Sequence, residues 1–152
     1  MYSKAESSAI RKEFWIKFGQ YMKPVPSTSG CRVNWPNYKT GVRDIYFRMK
    51  TERGFVSIGI EISHVDEELQ ELYFDQFLQL KKILIACVGE EWDWNLLATN
   101  EFGHAVSRIE KVLKESDVMN EEDWPEIISF LKPRIIGLDN FWDQVKPGFE
   151  NF

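Results

Sequence analysis

The sequence has few of the residues and patterns that mark several large classes of protein. It has two cysteines, Cys31 and Cys87, which are too few for a disulfide framework and do not have a metal-ligand spacing. No stretch approaches the roughly 18 apolar residues of a membrane span, and the opening residues MYSKAESSAIRKEFW carry charges throughout and have no apolar core. These features predict a cytoplasmic protein that has reduced thiols and no association with a membrane.

Motifs of common enzyme chemistries are also missing from the sequence. It contains no Gly-x-Ser-x-Gly elbow, no cysteine with the neighbours of a catalytic thiol, and no glycine-rich phosphate loop. Acidic residues outnumber basic ones by 24 to 19, and the formal net charge of −5 argues against broad, nonspecific adhesion to nucleic acid or anionic membranes. A local basic patch is still compatible with this composition.

Aromatic side chains are abundant, with six Trp, five Tyr and eleven Phe, and they predict one domain over residues 1–152 with a core rich in rings. Apolar residues recur at helical spacing over residues 7–22, 66–89 and 120–145. The third segment continues past Pro133, which predicts a kinked helix or two abutting helices. We expect its aromatic residues to be buried scaffold: Trp124, Phe130, Phe141 and Trp142.

Alternating patterns predict a sheet between the helices. The runs VRDIYFRMK (42–50) and FVSIGIEIS (55–63), joined by TERG, are typical of a β-hairpin. EWDWNLL (91–97) and HAVSRIEKVL (104–113) indicate a second hairpin, although the latter also fits a helix, and CRVNW (31–35) fits a short strand. The predicted fold is therefore α+β: a helix, a hairpin with two or three strands, a long helix, a second hairpin or strand, and Pro-kinked C-terminal helices on one central sheet.

The first hairpin raises a question about two acidic residues. If its turn centres on Glu52 and Arg53, Asp44 lies directly opposite Glu61, where the Cβ atoms are about 4.5–5.5 Å apart and like charges repel. Three arrangements would compensate: a bridging Mg²⁺, a shared proton, or a basic neighbour. The candidate basic neighbours are Lys39, Arg43 and Arg48. A shift of two residues in register would instead place Ser63 or Gly59 opposite Asp44.

Two further groups near the hairpin have alternative interpretations. His64 and Asp66 either add ligands to a metal site at the acidic pair, or belong to a capping box in which Ser63 begins the second helix. Basic and aromatic residues of the first strand either form a face for a nucleic acid strand or a solvated sheet face. The candidate binding residues are Lys39, Arg43, Tyr46 and Arg48.

Several segments resemble a bacterial and archaeal domain family of unknown function. They are FWIKFGQYM, NYKTGVRDIYFRM, EDWPEIISFLKPRIIGLDNFW and KPGFE, and the likeness covers nearly the whole chain. Members of that family occur alone or as the C-terminal part of longer proteins, commonly after a nuclease-like segment. The resemblance implies a link to nucleic-acid processing or to defence proteins, and it brings no activity with it.

A weaker resemblance is to restriction-endonuclease-like nucleases, whose core runs helix, three strands, helix, strand. Asp44 and Glu61 match the two acids that hold Mg²⁺ in those enzymes, and Glu13 matches an acid on the first helix. The usual lysine position is Ser63, so the resemblance implies either a Mg²⁺-dependent nuclease or a degenerate, noncatalytic relative.

The sequence as a whole favours a binding or accessory module for nucleic acid or a protein partner. The alternatives are a Mg²⁺-dependent nuclease, with Asp44 and Glu61 as catalytic and metal-binding candidates, and a self-associating structural protein with exposed Trp and Phe at its interface. The partner, the oligomeric state and any turnover are left open.

Overall fold

The computed structural model describes residues 2–150, in which α-helices pack against a four-stranded antiparallel sheet. The helices are α1 (Lys4–Met22), α2 (Glu67–Gln79), α3 (Lys81–Val88) and α4 (Trp124–Val145). The strands are β1 (Ile45–Glu52), β2 (Phe55–Ile62), β3 (Asp93–Thr99) and β4 (Ala105–Lys114), in the order β1-β2-β4-β3. The α+β prediction is confirmed, and two strands precede α2, whereas the order of the restriction-endonuclease-like core has three.

The predicted second helix is present, but it is divided and its cap differs from the prediction. Leu80 leaves helical geometry, with φ −99° and ψ 8°, and separates α2 from α3. The side chain of Asp66 caps α2 by accepting from the backbone N–H of Glu68 at 2.9 Å. The prediction that Ser63 caps this helix is wrong because Ser63 still belongs to the hairpin ladder, where its N–H donates to the carbonyl of Asp44.

The C-terminal segment forms one continuous helix, α4, that contains Pro133 and packs against the sheet. The four aromatic residues predicted as scaffold are buried, and the indole N–H of Trp124 donates to the carbonyl of Val118 at 2.6 Å. Among the described residues every Trp is buried or half-buried, whereas Phe55 and Phe102 are exposed. The Trp part of the predicted Trp and Phe interface is therefore wrong, while its Phe part and self-association stay predictions.

The segment CRVNW does not form a strand, and that prediction is wrong. Trp35–Asn37 is a short 3-10 helix, with Pro36 at its start and the side chain of Asn34 accepting from the N–H of Asn37 at 3.3 Å. Proline near the first helical position lacks the N–H that a strand would use, and its φ suits a helical turn. The Trp35 ring is buried, and its indole N–H donates to the carbonyl of Val25.

The first hairpin has a register two residues away from the predicted one. Its turn is Arg53–Gly54, with Glu52 paired with Phe55 and Gly54 at φ +78°. Glycine adopts this left-handed conformation without a steric cost, which favours the two-residue turn. Both registers pair apolar residues with apolar residues because side chains alternate with a period of two. The turn geometry therefore decides between them, and the hydrophobic pattern does not.

The observed register separates the two acidic residues. Ser63, and not Glu61, lies opposite Asp44, and the N–H of Ser63 donates to the carbonyl of Asp44 at 2.9 Å. Glu61 instead faces Tyr46 across the hairpin. The prediction that Asp44 and Glu61 face each other is wrong, so the two carboxylates need no shared compensation.

The second predicted hairpin is confirmed as β3 and β4, which pair antiparallel with an irregularity between Asn95 and Ala98. β4 also pairs with β2 from Ser107 to Lys114 and lies inside the sheet. β1 and β3 are therefore the two edge strands. No helix within residues 2–150 is long and apolar enough to cross a membrane.

Candidate binding groove along the edge strand

A groove runs along β1, and its other wall is the chain segment 36–44 that leads into this strand. Its volume is about 490 Å³. All four residues that the sequence predicted as binding residues line it: Lys39, Arg43, Tyr46 and Arg48. The structure thus brings these four side chains to one surface, which we call the β1 groove.

A buried carboxylate on α4 anchors the chain that leads to the groove wall. Asp139 accepts hydrogen bonds from the hydroxyl of Ser27 at 2.9 and 3.1 Å, from the N–H of Thr28 at 2.7 Å and from the hydroxyl of Tyr38 at 2.6 Å. Burial raises the pKa of Tyr38 well above its usual range, and the hydrogen bond to Asp139 raises it further. Tyr38 therefore stays a protonated donor.

Two more contacts fix the wall against the core. The ring of Tyr38 stacks on Phe47 of β1 with centroids 5.2 Å apart, and the indole N–H of Trp142 donates to the carbonyl of Thr40 at 2.7 Å. No local sequence pattern indicates Asp139, because its partners lie more than a hundred positions away along the chain. The wall is thus part of the folded core and is positioned before any ligand arrives.

The cations of the groove wall are largely unneutralised. The side chain of Arg43 is 94% exposed and has one long contact, 3.9 Å from Nε to Oδ2 of Asp44. Lys39 is exposed and forms no ion pair with any residue between 2 and 150. Lys146 adds a third cation beside the wall. Its Nζ lies next to Gly41, only 2.7 Å from where a Cβ on that glycine would be. This wall attracts anions.

On the strand side of the groove the charge is shared with the sheet. The guanidinium of Arg48 lies 4.2 Å from the ring centroid of Tyr46, and its Nε lies 3.2 Å from Oε2 of Glu61. The cation–π contact and the ion pair hold Arg48 in place. Arg48 and Tyr46 therefore present an ordered edge to the groove, while Lys39 and Arg43 supply most of its free charge.

Glu61 is neutralised on the outer face of the sheet. Its carboxylate, with 13% of the side chain exposed, also lies 3.5 Å from Nζ of Lys50 and 3.3 Å from Nε of Arg108. Burial by itself would raise the pKa of Glu61, but the three cations outweigh it and hold that pKa below its ordinary value. Glu61 thus anchors a cationic cluster. Sequence reasoning missed Arg108 because β4 was ambiguous between strand and helix.

Asp44, which also lines the β1 groove, borders a second cavity of about 450 Å³ at the end of β1. Its backbone has φ +67°, a conformation that aspartate adopts more readily than most residues, and its Oδ2 lies 3.7 Å from Nε2 of His64. The other ring nitrogen of His64 accepts from the N–H of Asp66 at 2.9 Å. His104 and Glu67 also line this cavity. Nδ1 of His64 is thus occupied by a backbone N–H, and the imidazole helps to hold the loop in place.

The side chains do not fit the Mg²⁺ site that the nuclease resemblance implies. Asp44 lies in the cavity at the end of β1, whereas Glu61 is held by three cations on the sheet face. Within residues 2–150, no group of three or more His, Cys, Asp or Glu residues is arranged to hold a metal ion. An ion that needs several oxygen ligands has no assembled partner set here.

The fold and the groove define a small α+β domain with a basic cleft at one sheet edge. The chain belongs to the family described as "Domain of unknown function (DUF4268)", whose model matches residues 10–146. No curated protein and no solved structure matches the chain. The resemblance to a domain family of unknown function is confirmed, while the links to nuclease-like segments and to restriction-endonuclease-like enzymes stay predictions.

Proposed function

We propose that the chain is a noncatalytic binding module that holds an anionic partner strand in the β1 groove, as an accessory domain of nucleic-acid-processing or defence proteins. The observation that carries this proposal is the convergence of Lys39, Arg43, Tyr46 and Arg48 on one groove. The groove wall is anchored by buried contacts, so binding requires little reorganisation. The tie to nucleic-acid processing rests on the family resemblance.

The charge distribution supports an anionic polymer as the partner class. The chain as a whole is acidic, with a formal net charge of −5, so a polyanion is repelled by most of the surface and attracted by this groove. Single-stranded nucleic acid and acidic polypeptide both have this chemistry. Both also have a single extended backbone that can lie along the β1 groove.

Fluorescence anisotropy with two labelled polyanions tests the proposal. The probes are a single-stranded DNA of about 12 nucleotides and a glutamate-rich peptide of similar charge. We expect at least one of them to bind at low salt, and Lys39→Ala combined with Arg43→Ala to weaken that binding. If the DNA is bound, the double variant reduces the log–log salt slope by roughly 1.4.

The matched control removes the same charge elsewhere. Lys12 on α1 and Lys82 on α3 are exposed and lie outside the groove. Lys12→Ala combined with Lys82→Ala should leave affinity and salt slope close to wild type. Equal weakening by both double variants would mean that only net charge matters. No binding of either probe at low salt would reject the proposal.

A Mg²⁺-dependent nuclease is the second candidate, and the cavity that holds Asp44 together with His64 and His104 is the observation that favours it. The binding proposal expects no cleavage of DNA or RNA by the wild type and no heat on titration with Mn²⁺. Mg²⁺-dependent cleavage that disappears in Asp44→Asn would replace the binding proposal with this one.

A further inference from the structure

We infer that the partner in the β1 groove is an extended, acidic polypeptide segment that adds to the sheet as a further strand beside β1. This inference rests on the proposed function, because it names the partner of the same groove. The observation behind this inference is the set of backbone N–H and C=O groups on the outer edge of β1.

The residues of β1 alternate between the two sides of the strand. The carbonyl of Asp44 accepts from Ser63, so even-numbered residues pair with β2 and odd-numbered residues direct their N–H and C=O groups to the outer edge. Side-chain donors at the two ends agree with this direction. Thr40 Oγ1 donates to the carbonyl of Ile45 at 2.7 Å, and Nε of Arg11 donates to the carbonyl of Thr51 at 2.9 Å.

The middle of the edge remains open. Phe47 and Met49 lie between the two capped ends, both line the groove, and their outward backbone groups pair with no other residue in the described range. The side chain of Phe47 packs in the core and that of Met49 packs against it, and the two residues are buried and half-buried. The groove floor therefore presents two donors and two acceptors, repeated at about 6.8 Å, the spacing of alternate residues in a strand.

A polypeptide backbone matches this pattern better than a nucleic acid does. An extended peptide offers a C=O and an N–H at the same repeat and pairs with both kinds of group, as in β-strand addition. A phosphodiester backbone offers acceptors alone and would leave the carbonyls of Phe47 and Met49 unpaired. The backbone groups of the edge therefore favour a peptide partner, and the cations of the groove favour acidic side chains on it.

Charge defines which peptide is complementary. Arg43 and Lys39 line the groove with one acid, Asp44, and Lys146 lies beside Gly41 of the wall. Glutamate or aspartate side chains on an added strand therefore find a net positive surrounding. The same cations oppose pairing with β1 of a second copy, which would bring its own Arg43 and Arg48 to the edge. The acidic peptide is therefore favoured over self-association.

Backbone N-methylation tests strand addition without changing charge. The parent probe is a labelled peptide of about 12 residues that alternates glutamate and threonine, and the matched probe has every amide N-methylated. We expect the parent to bind with salt dependence and the methylated probe to bind at least roughly tenfold more weakly, the loss of one or more hydrogen bonds.

A variant of the protein makes the complementary test. Met49→Pro removes an outward N–H without touching the ladder to β2, whereas Met49→Ala keeps the N–H and removes the same side chain. We expect Met49→Pro to bind the parent peptide roughly 2- to 10-fold more weakly than Met49→Ala. The two peptides still decide the question on wild-type protein if Met49→Pro does not fold.

The outcomes separate this inference from the proposed function. Equal affinity of the parent and methylated peptides would overturn strand addition and leave the groove as a polyanion site. Single-stranded DNA that binds more tightly than the parent peptide, and displaces it, would overturn the choice of a peptide. Failure of both polyanions to bind would reject the proposed function itself.

Discussion

At the scale of single residues, Glu61 shows how position decides the use of a carboxylate. It lies within 3.5 Å of cations from three residues on two neighbouring strands, and this cluster orders Arg48 at the rim of the β1 groove. Asp44, only two positions before Tyr46, has instead one imidazole and one exposed guanidinium nearby. Two acids that look equivalent in the sequence thus have different surroundings and different tasks.

The lowered pKa of Glu61 predicts a pH dependence of stability. Its pKa in the folded chain lies below the ordinary value of 4.5, so its stabilisation is fully present above that value and is lost as pH falls through the folded pKa. Urea unfolding of wild type should therefore show a free energy that declines below about pH 5, and Glu61→Gln should show a smaller decline.

Glu71→Gln is the control for this measurement, because Glu71 is exposed and forms no ion pair in the described part of the chain. Its pH profile should follow wild type. Parallel profiles for wild type and Glu61→Gln would show that the cluster does not stabilise the fold.

At the scale of elements, the sequence predicted the helices and both hairpins, because periods of 3.6 and 2 are local signals. The register of the first hairpin was beyond reach, since two registers satisfied the same apolar faces and a glycine turn decided between them. The predicted groove residues came from one short stretch, 39–48, so their grouping survived the error in register. Asp139 contacts residues that are distant in sequence, and no local pattern reveals it.

The anchor at Asp139 predicts a link between stability and the groove. Asp139→Asn replaces one carboxylate oxygen, which accepts from Ser27, Thr28 or Tyr38, with an NH₂ group that faces these donors. We therefore expect a loss of roughly 1–3 kcal/mol in the free energy of unfolding. Affinity for the anionic probe should fall as well, because the wall that carries Lys39 loosens. Urea unfolding and anisotropy on the same variant check both effects.

Asp143→Asn is the matched control on the same helix, since Asp143 is exposed. It removes one negative charge, as Asp139→Asn does, and should change the free energy of unfolding by less than about 0.5 kcal/mol. Similar losses in both variants would mean that the buried carboxylate does not anchor the wall.

At the scale of the whole molecule, charge and backbone edges are distributed unevenly. The chain is acidic overall, yet its basic groove lies where one of the two edge strands has an open centre. β3, the other edge, is interrupted by an irregularity and by the left-handed Leu97, features that discourage pairing. One edge is therefore suited to an added strand, and the other is not.

The central claim is that a partner strand pairs with the open centre of β1, and amide hydrogen exchange measures this pairing directly. With saturating Glu–Thr peptide, we expect exchange at the amides of Phe47 and Met49 to slow by at least roughly tenfold. Arg48, whose N–H already pairs with β2, is the internal reference and should change little. Unchanged exchange at Phe47 and Met49 under saturation would show that no strand pairs with β1.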